Sequence, residues 1–371
     1  MAELYLGLMS GTSLDGVDGV LLEFSESTQR VLAHASAPLP TALRTELLAL
    51  NAAGPNELHR AALAANGLVR VYAEVVHDLL TRTATSASQV LAIGAHGQTV
   101  RHQPGAFDGI GYTLQLNNPA LLAELCGIDV IADFRSRDVA AGGQGAPLVP
   151  AFHQAVFGGT GVPVAVLNLG GMANLTLLDA RADDAVLGFD CGPGNALMDA
   201  WSLQHCGEPF DRGGAWAASG QVQAELLTVL RSEPFFALRP PKSTGRDLFN
   251  PPWLASALAH LPDMRPVDVQ ATLAELTALS CADAVLTWGG DSRELLVCGG
   301  GAFNTHLMTR LQRALPGVVV KGTEARGLPP LQVEAAAFAW LARQTLRRAP
   351  GNLPSVTGAR GARVLGAVYP A

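Results

Sequence analysis

The stretch GLMSGTSLDGVDGVLLEF, residues 7–24, is typical of two strands joined by a polar turn. Leu4, Leu6 and Leu8 alternate with other residues, which is the period of a half-buried strand, and a second apolar run ends at Phe24. Small hydroxyl residues and glycines lie between the two runs. They suit a tight connection and leave backbone N–H groups open to a phosphate group. An ordinary polar hairpin turn stays open as the alternative, because every turn uses these residue types.

A second stretch, VAVLNLGGMANLTLL at residues 164–178, repeats this layout of apolar strand, Gly-rich turn and apolar strand. Patterns of alternating helix and strand follow each of the two hairpins. The repetition predicts two related α/β halves. A nucleotide whose phosphates lie between two facing hairpins would explain both turns.

Composition limits the classes of protein that this chain can be. Of its 371 residues, 49% are hydrophobic and only 15% are charged, which predicts a large core and two domains. The formal net charge of −7 argues against a nucleic-acid or membrane-binding surface. The five cysteines are scattered without a CxxC pair, and no basic, apolar leader begins the sequence. We therefore expect a cytoplasmic protein with reduced thiols.

Polar side chains follow two predicted strands in the first half. His96 and Gln98 come just after the strand at 90–93, where ligands bind in α/β sheets. Arg135 and Asp138 follow the next strand, in a chain where charges are scarce. A guanidinium matches the planar fork of a carboxylate or phosphate, so this loop could clamp an anion. A surface ion-pair network is the alternative.

Two further stretches place polar groups at strand ends in the second half. Asp190 follows a strand in GFDCGPGN, where it could act as a base or simply cap the turn. In CGGGAFN, glycines would let a flat ring or a phosphate approach the start of a helix. The loop PPKSTGRDLFNPPW, residues 240–253, could reach a nucleotide or be solvated. Glu334 lies in the first turn of a late helix, where an acid is favourable in any case.

These motifs together identify a family. The chain resembles anhydro-N-acetylmuramic acid kinases, of the sugar kinase/Hsp70/actin ATPase superfamily, nearly from end to end. Two small departures from the family pattern are Cys191, where threonine is usual, and Asp247, where glutamate is usual. The motifs occur in the order MSGTSLDGVD, AHGQTVRH, DFRSRDVAAGGQGAPL, LNLGGMANLT, GFDCGPGN, KSTGRDLFN, CGGGAFN and VEAAAFAWLA.

The resemblance implies an α/β fold. Its expected form is two-lobed and actin/hexokinase-like, with duplicated ribonuclease H-like domains and a central nucleotide cleft. We expect residues 1–138 to form the N-terminal lobe, which carries the first hairpin. A C-terminal helix over 345–371 could pack back on this lobe, and residues 139–344 form the other lobe.

The resemblance also implies a reaction. The enzyme would use ATP and Mg²⁺ to open 1,6-anhydro-N-acetylmuramic acid with water and to phosphorylate O6. The product would be N-acetylmuramate 6-phosphate, in the recycling of cell-wall peptidoglycan. Its partners would be the sugar and ATP, with no nucleic acid and no membrane. A homodimer and the identity of the metal ligands stay open.

The expected site combines the resemblance with the placement of the loops. Asp190 is the expected catalytic base. The expected sugar contacts are His96, Gln98, Arg135, Asp138 and Glu334. The residues expected to contact ATP are Gly11, Thr12, Ser13, Leu14, Asp15, Gly16, Val17, Asp18, Gly170, Gly171, Asn174, Gly300, Gly301 and Asn304.

Two other functions remain as alternatives. A kinase of the same superfamily could act on an ordinary hexose, and such an enzyme would need no water. A non-catalytic sugar- or nucleotide-sensing protein could also retain this fold. Sugar-dependent ATP hydrolysis would exclude the sensor.

Overall fold

The structure is a computed structural model that describes residues 2–11, 14, 16–25, 28–159, 161–178, 186–259 and 261–371. The chain divides into two compact units. The first contains Met1–Phe152 and Gln332–Ala371, and the second contains His153–Leu331. The sequence had placed the boundaries between the two lobes after residues 138 and 344.

The strands are numbered along the chain. They are β1 (Glu3–Ser10), β2 (Gly16–Phe24), β3 (Gln29–Pro38), β4 (Val90–Ala95), β5 (Gln98–Pro104), β6 (Gly111–Leu116), β7 (Val130–Ala132), β8 (Val164–Leu169), β9 (Met172–Leu178), β10 (Val186–Pro193), β11 (Glu294–Cys298), β12 (Val319–Gly322) and β13 (Ala367–Tyr369).

The helices are numbered in the same way. Short 3₁₀ helices occur at Ala87–Gln89, Arg212–Gly214, Gly300–Phe303, Thr323–Arg326 and Pro330–Gln332. The α-helices are α1 (Thr41–Ala49), α2 (Glu57–Thr83), α3 (Pro119–Cys126), α4 (Ser136–Ala140), α5 (Val149–Phe157), α6 (Ala196–Cys206), α7 (Ala215–Ala218), α8 (Ala224–Arg231), α9 (Pro234–Ala237), α10 (Pro251–Leu258), α11 (Pro266–Trp288), α12 (Thr305–Ala314), α13 (Val333–Leu346) and α14 (Pro354–Thr357).

Each unit is built on a mixed sheet, and the two sheets share a strand order. In the first unit the order is β13-β7-β4-β1-β2-β3, and in the second it is β10-β9-β8-β11-β12. Three consecutive antiparallel strands lie at one side of each sheet, followed by two parallel strands. The predicted duplication of an α/β half is therefore confirmed.

Helix α13 packs directly on the first sheet, because two strand positions there are glycine. A Cβ atom on Gly7 of β1 would overlap the carbonyl oxygen of Ala335, and one on Gly94 of β4 would overlap that of Phe338. Glycine therefore lets the helix backbone approach the sheet at both strands. This contact places α13 in the first unit, whereas the sequence assigned most of its residues to the second.

The C-terminal segment also differs from its sequence-based description. A helix was expected over 345–371, but α13 ends at Leu346 and the rest contains the short helix α14 and strand β13. Strand β13 pairs antiparallel with β7, Ala367 opposite Ala132. The chain end thus joins the first sheet as an edge strand, because its β-branched and aromatic residues pair with a buried neighbour.

A long helix dominates the core of the second unit. Among the described residues, α11 is the one helix long and apolar enough to cross a membrane by length and composition. An apolar 18-residue window of this helix is, however, 78% buried. Leu273 and Leu276 on this helix pack in one cluster with Leu167, Leu175 and Phe189 of the sheet. Helix α11 is thus a core helix of this unit.

Candidate functional site

The first hairpin turn is fastened at its start by a closed hydrogen-bond network. Ser10 is the last residue of β1, and its hydroxyl donates to the Gly97 carbonyl oxygen at 3.1 Å. The Gly97 N–H donates to the Tyr72 hydroxyl oxygen at 3.1 Å. Since Ser10 has a single hydroxyl proton, the 3.0 Å contact between its Oγ and Tyr72 is donated by the tyrosine. Helix α2 thus ties the turn to the segment after β4.

The turn itself is only partly described. Thr12, Ser13 and Asp15, three of the expected phosphate contacts, lie outside the described residues. Leu14 is buried with a φ of 58°, and its N–H donates to the Gly11 carbonyl oxygen at 3.2 Å. A buried leucine here keeps its side chain in the core, so its backbone is the part that could meet a ligand.

The expected contacts on β2 differ in what they can offer. Gly16 lies opposite Pro38 of β3, and Val17 is fully buried in the core. Asp18 Oδ1 lies 3.1 Å from His34 Nε2, and the aspartate side chain is 46% exposed. Asp18 is therefore the carboxylate of this group that solvent or a ligand can reach.

His96 and Arg135 meet inside the first unit. Arg135 Nε and one terminal guanidinium nitrogen lie 3.1 Å and 2.9 Å from His96 Nε2. A guanidinium can only donate, so Nε2 is the acceptor and the proton of the neutral ring is on Nδ1. Burial, together with the arginine charge, holds the pKa of His96 well below its ordinary value. His96 is thus a neutral side chain with a fixed tautomer.

Arg135 joins several of the expected sugar contacts. Its other terminal nitrogen donates to the Gly145 carbonyl oxygen at 2.8 Å. Burial lowers the pKa of Arg135 to about 10, while the charges of Glu334 and Asp138 act in the opposite direction. Three of the five expected sugar contacts, His96, Asp138 and Glu334, therefore lie around the guanidinium of a fourth, Arg135.

Asp138 is fully buried, and protein donors already contact both of its oxygens. Oδ2 accepts from the Gly145 N–H at 2.7 Å, and Oδ1 accepts from Asn352 at 2.6 Å and from the Thr357 hydroxyl at 2.8 Å. These bonds join the Gly-rich loop after α4 to the segment that contains α14. Asp138 thus has a structural part in shaping the loop that contacts Arg135.

Gln98 carries one of several buried polar atoms in the first unit that can still make a hydrogen bond. Its Oε1, His96 Nδ1 and Asn117 Oδ1 have no hydrogen-bond partner among the described residues of the chain. Such buried atoms are rare in folded proteins and are usually paired by water or a ligand. The first unit therefore offers one N–H donor on the histidine that contacts Arg135, and two amide oxygens on residues close to the end of β4.

The second hairpin turn is held by the start of a helix. The N–H groups of Gly194 and Ala196 donate to the Gly171 carbonyl oxygen at 2.9 Å and 3.1 Å. The Asn195 N–H donates to the Gly170 carbonyl oxygen at 2.8 Å, and its side chain donates to Leu169 at 2.9 Å. The turn thus lies directly against the N-terminus of α6, whose dipole favours an anion.

Asp190 lies within β10 beside this turn, and not after the end of a strand as expected, because β10 pairs with β9 as far as Pro193. Its Oδ1 accepts from the Asn174 side chain at 2.8 Å, and its Oδ2 accepts from the Thr244 N–H at 2.8 Å. Burial raises the pKa of Asp190, although both hydrogen bonds and the nearby Lys242 charge act in the opposite direction. A carboxylate with a raised pKa is a stronger base than an exposed aspartate.

The loop after α9 completes the surroundings of Asp190. The Asp190 N–H donates to the Lys242 carbonyl oxygen at 3.0 Å. The Lys242 ammonium donates to the carbonyl oxygens of Phe235 and Phe236 at 3.2 Å and 3.3 Å. Further along the loop, an Arg246 guanidinium nitrogen lies 3.9 Å from where a Cβ on Gly171 would be. The loop therefore brings a second cation beside the second hairpin turn.

The glycine run after β11 packs against the same hairpin. A Cβ on Gly299 would lie 2.5 Å from Asn168 Oδ1, and one on Gly301 would lie 2.5 Å from Leu169 Cβ. Gly300 is less crowded, its Cβ position being 3.9 Å from Asn195 Nδ2. The side chain of Asn304 caps α12 by accepting from the Leu307 N–H at 3.0 Å. The glycine run, the second turn and Asp190 therefore gather at one end of the second sheet.

Sequence patterns missed some of the residues that shape these sites. Tyr72 lies in the middle of a helix among core residues, and no local sequence signal indicates that its hydroxyl makes hydrogen bonds. Asn174 was expected at the nucleotide, and its contact with Asp190 follows only from strand pairing. The loop that contains Thr244 and Lys242 was noted, but not its bonds to Asp190.

Comparisons with known proteins give one consistent family. A family model described as anhydro-N-acetylmuramic acid kinase matches residues 3–371. Proteins of that name from Variovorax paradoxus (strain S110) and Cupriavidus metallidurans are 68% and 57% identical to the chain. Each alignment covers 100% of this chain, with 99% and 98% of the relative covered.

Matches to solved structures have much lower sequence identity. Component A of the (R)-2-hydroxyglutaryl-CoA dehydratase of Acidaminococcus fermentans has a TM-score of 0.47 at 12% identity, covering 91% of this chain and 96% of its own. A ROK family glucokinase from Streptomyces griseus, in complex with glucose and AMPPNP, has a TM-score of 0.41 at 14% identity. That match covers 92% of this chain and 99% of the glucokinase.

Proposed function

The chain belongs to the anhydro-N-acetylmuramic acid kinase family, and we propose that Asp190 is the catalytic base of its reaction. The enzyme is an anhydro-N-acetylmuramic acid kinase, a phosphotransferase of peptidoglycan recycling. Of the possible roles of Asp190, that of a base is favoured by one observation above all. Its carboxylate is held by two donors beside the phosphate-type turn, in an environment that raises its pKa.

The reaction that we propose consists of two coupled steps. Asp190 takes a proton from water as the water oxygen bonds to the anomeric carbon and the bond from that carbon to O6 breaks. The O6 oxygen then bonds to the γ-phosphorus of ATP, and ADP leaves. Water, sugar and ATP thus give N-acetylmuramate 6-phosphate, ADP and a proton. Phosphorylation of O6 prevents the bridge from closing again.

The two turns would contact phosphate groups through their backbones. In the first unit these are the residues from Gly11 to Asp18. In the second unit Gly170 and Gly171 lie against the N-terminus of α6, and Arg246 is the cation beside them. Phosphoryl transfer depends mainly on such positioning and charge neutralisation. The glycine run at Gly300 and Gly301, with Asn304 capping α12, would lie by the adenosine.

The sugar would be recognised by the group around Arg135. The guanidinium can bind a carboxylate or an acyl oxygen, and Glu334 can accept hydrogen bonds from sugar hydroxyls. His96 Nδ1 and Gln98 Oε1 are the buried atoms with open capacity nearby. Asp138 would support the loop around Arg135 rather than touch the sugar, because its oxygens already accept three protein hydrogen bonds.

Mg²⁺ is the expected companion of ATP. This ion keeps several waters and binds substrate phosphates with one or two carboxylates rather than a protein cage. The part of the chain that the structure describes contains no cluster of three or more potential metal-binding side chains, which fits an ion held mainly by phosphate. Asp18, about half exposed on β2, is the described carboxylate nearest in sequence to the first turn. When bound, Mg²⁺ would neutralise charge on the phosphates.

Product analysis in ¹⁸O-labelled water tests the proposed reaction. We expect one heavy oxygen on the anomeric carbon of the sugar phosphate and none in the phosphoryl group. Unlabelled product incubated in the same water measures spontaneous exchange at the anomeric position. A phosphorylated product without excess label would show that water does not open the bridge. Label in free phosphate would indicate plain hydrolysis of ATP.

A further inference from the structure

Three polar side chains lie in register across the second sheet. Asn168 of β8 is directly opposite Asn174 of β9, and Asn174 is directly opposite Asp190 of β10. Directly opposed residues project from the same face of a sheet and contact one another. The neighbours of Asn174 along β9, Ala173 and Leu175, are fully buried. An amide therefore occupies the one position of β9 that faces the carboxylate.

Two independent hydrogen-bond donors hold the Asp190 carboxylate, and each donor with its segment of chain is called an arm. The Asn174 amide nitrogen donates to Oδ1 at 2.8 Å, and the Thr244 N–H donates to Oδ2 at 2.8 Å. An ionised carboxylate can accept about four hydrogen bonds. Because the described residues donate one hydrogen bond to each oxygen, one further accepting position remains on each, and the two arms fix the direction in which these positions point.

The two arms come from different parts of the chain. The Thr244 arm belongs to the loop that Lys242 anchors through the carbonyl oxygens of Phe235 and Phe236. The Asn174 arm depends only on the pairing of β9 with β10. Removing the Asn174 side chain should therefore leave the loop in place and free the carboxylate to rotate about its Cβ–Cγ bond.

We propose that Asn174 is a positioning residue for proton transfer to Asp190 and not a nucleotide ligand. The inference rests on the proposed role of Asp190 as the base. Asn174 acts by holding Oδ1 so that an open accepting position faces the attacking water. Removing it should lower kcat and leave the affinity for ATP unchanged.

The test compares Asn174→Ala and Asn174→Asp with the unaltered enzyme. We expect kcat to fall by about 10- to 100-fold in Asn174→Ala, the typical effect of one hydrogen bond to a charged group. The Kd of ATP, measured by calorimetry, should stay within about twofold. The acid limb of the kcat profile should move to higher pH, because a donor that favours the charged carboxylate has been lost.

Asn174→Asp keeps the shape of the side chain but replaces the donor with a like charge. Its acid limb should move further to higher pH than that of Asn174→Ala. This variant also separates loss of the donor from a cavity left by truncation. Thermal unfolding of both variants reports whether the second unit still folds. If Asn174→Ala does not fold, the isosteric variant Asn174→Asp still tests the loss of the donor.

A double variant distinguishes failure of this inference from failure of the proposed function. In an Asp190→Asn background, removing Asn174 should cost no further activity, because the group that it positions is already lost. Weaker ATP binding with an unchanged kcat in Asn174→Ala would overturn the inference and leave the role of Asp190 intact. High activity in Asp190→Asn itself would instead show that Asp190 is not the base.

Discussion

The two hairpins of this chain have the same strand order around them but hold their turns by different means. The first turn is tied by side chains from far along the chain, the hydroxyls of Ser10 and Tyr72 together with Gly97. The second is tied by backbone N–H groups at the start of α6, which bond to the carbonyl oxygens of Gly170 and Gly171. The duplicated framework therefore does not duplicate the contacts at its turns.

This difference between the contacts of the two turns indicates that one turn is held more tightly than the other. Backbone bonds from a helix leave little freedom, and the second turn lies beside Asp190 and the glycine run, where the position of the reacting groups matters most. The hydroxyl network of the first turn acts at the start of that turn, through Ser10 and Gly97. We infer that the second hairpin is held more rigidly than the first, and that it positions the reacting groups. The following predictions test this.

The largest effect is expected at Asp190. Asp190→Asn keeps the hydrogen-bonding shape and removes the base, so turnover should fall by about 100- to 10,000-fold while ATP and sugar still bind. Steady-state kinetics and calorimetry measure the two quantities. Asp263→Asn, at an exposed acid of the same unit, is the matched control. Turnover near that of the control would exclude Asp190 as the base.

The next effect is expected where the second turn meets α6. A Cβ on Gly194 would overlap the Gly170 carbonyl oxygen, so Gly194→Ala must displace the turn or the helix. We expect the free energy of unfolding to fall by about 1–3 kcal/mol. Denaturant titration measures it, with Gly170→Ala as the control, because the nearest atom to its Cβ would be 3.7 Å away. Equal stability of the two variants would contradict the proposed tightness of this turn.

The second hairpin should also be more sensitive to acid. His153 is buried, contacts the Thr176 hydroxyl of β9 at 3.0 Å, and has a pKa lowered to about 3 by burial. Because the folded pKa lies below the unfolded value near 6.5, the unfolded chain binds the extra proton first. Stability should therefore fall as pH drops below about 6.5, by about 2 kcal/mol at pH 5.

Denaturant titrations at pH 7.5 and pH 5 measure this loss. His153→Gln, which does not titrate, should reduce the difference between the two pH values by about that amount. His34→Gln, at a partly buried histidine of β3, which pairs with the first hairpin, serves as the comparison. If His153→Gln leaves the pH dependence unaltered, His153 does not account for it.

The smallest effect is expected at the first turn. Tyr72→Phe removes the hydroxyl that accepts from the Gly97 N–H and donates to Ser10, so the free energy of unfolding should fall by about 1 kcal/mol. Tyr112→Phe, at a partly exposed tyrosine of the same unit, is the control. A loss at Tyr72 larger than that at Gly194 would reverse the proposed order of the two turns.

Local patterns were sufficient for much of the fold. Strand alternation and turn chemistry predicted both hairpins, and the duplicated α/β architecture followed from their repetition. Asn118 caps α3, Pro119 is its first residue and Gly127 ends it, which are the positions that local capping rules favour for these residue types. These features depend on residues close in sequence, which is why periodicity and capping could reveal them.

Long-range packing decided the rest. The sequence by itself determined the two hairpins, their α/β setting, the family and Asp190 as the candidate base, but it placed Asp190 after a strand that in fact continues to Pro193. Only the tertiary structure decided that α13 joins the first unit through Gly7 and Gly94, and that Asn174 and Thr244 hold the carboxylate. The physical reason is that close backbone approach and hydrogen bonding across strands depend on which segments meet in space, and local sequence does not specify that pairing.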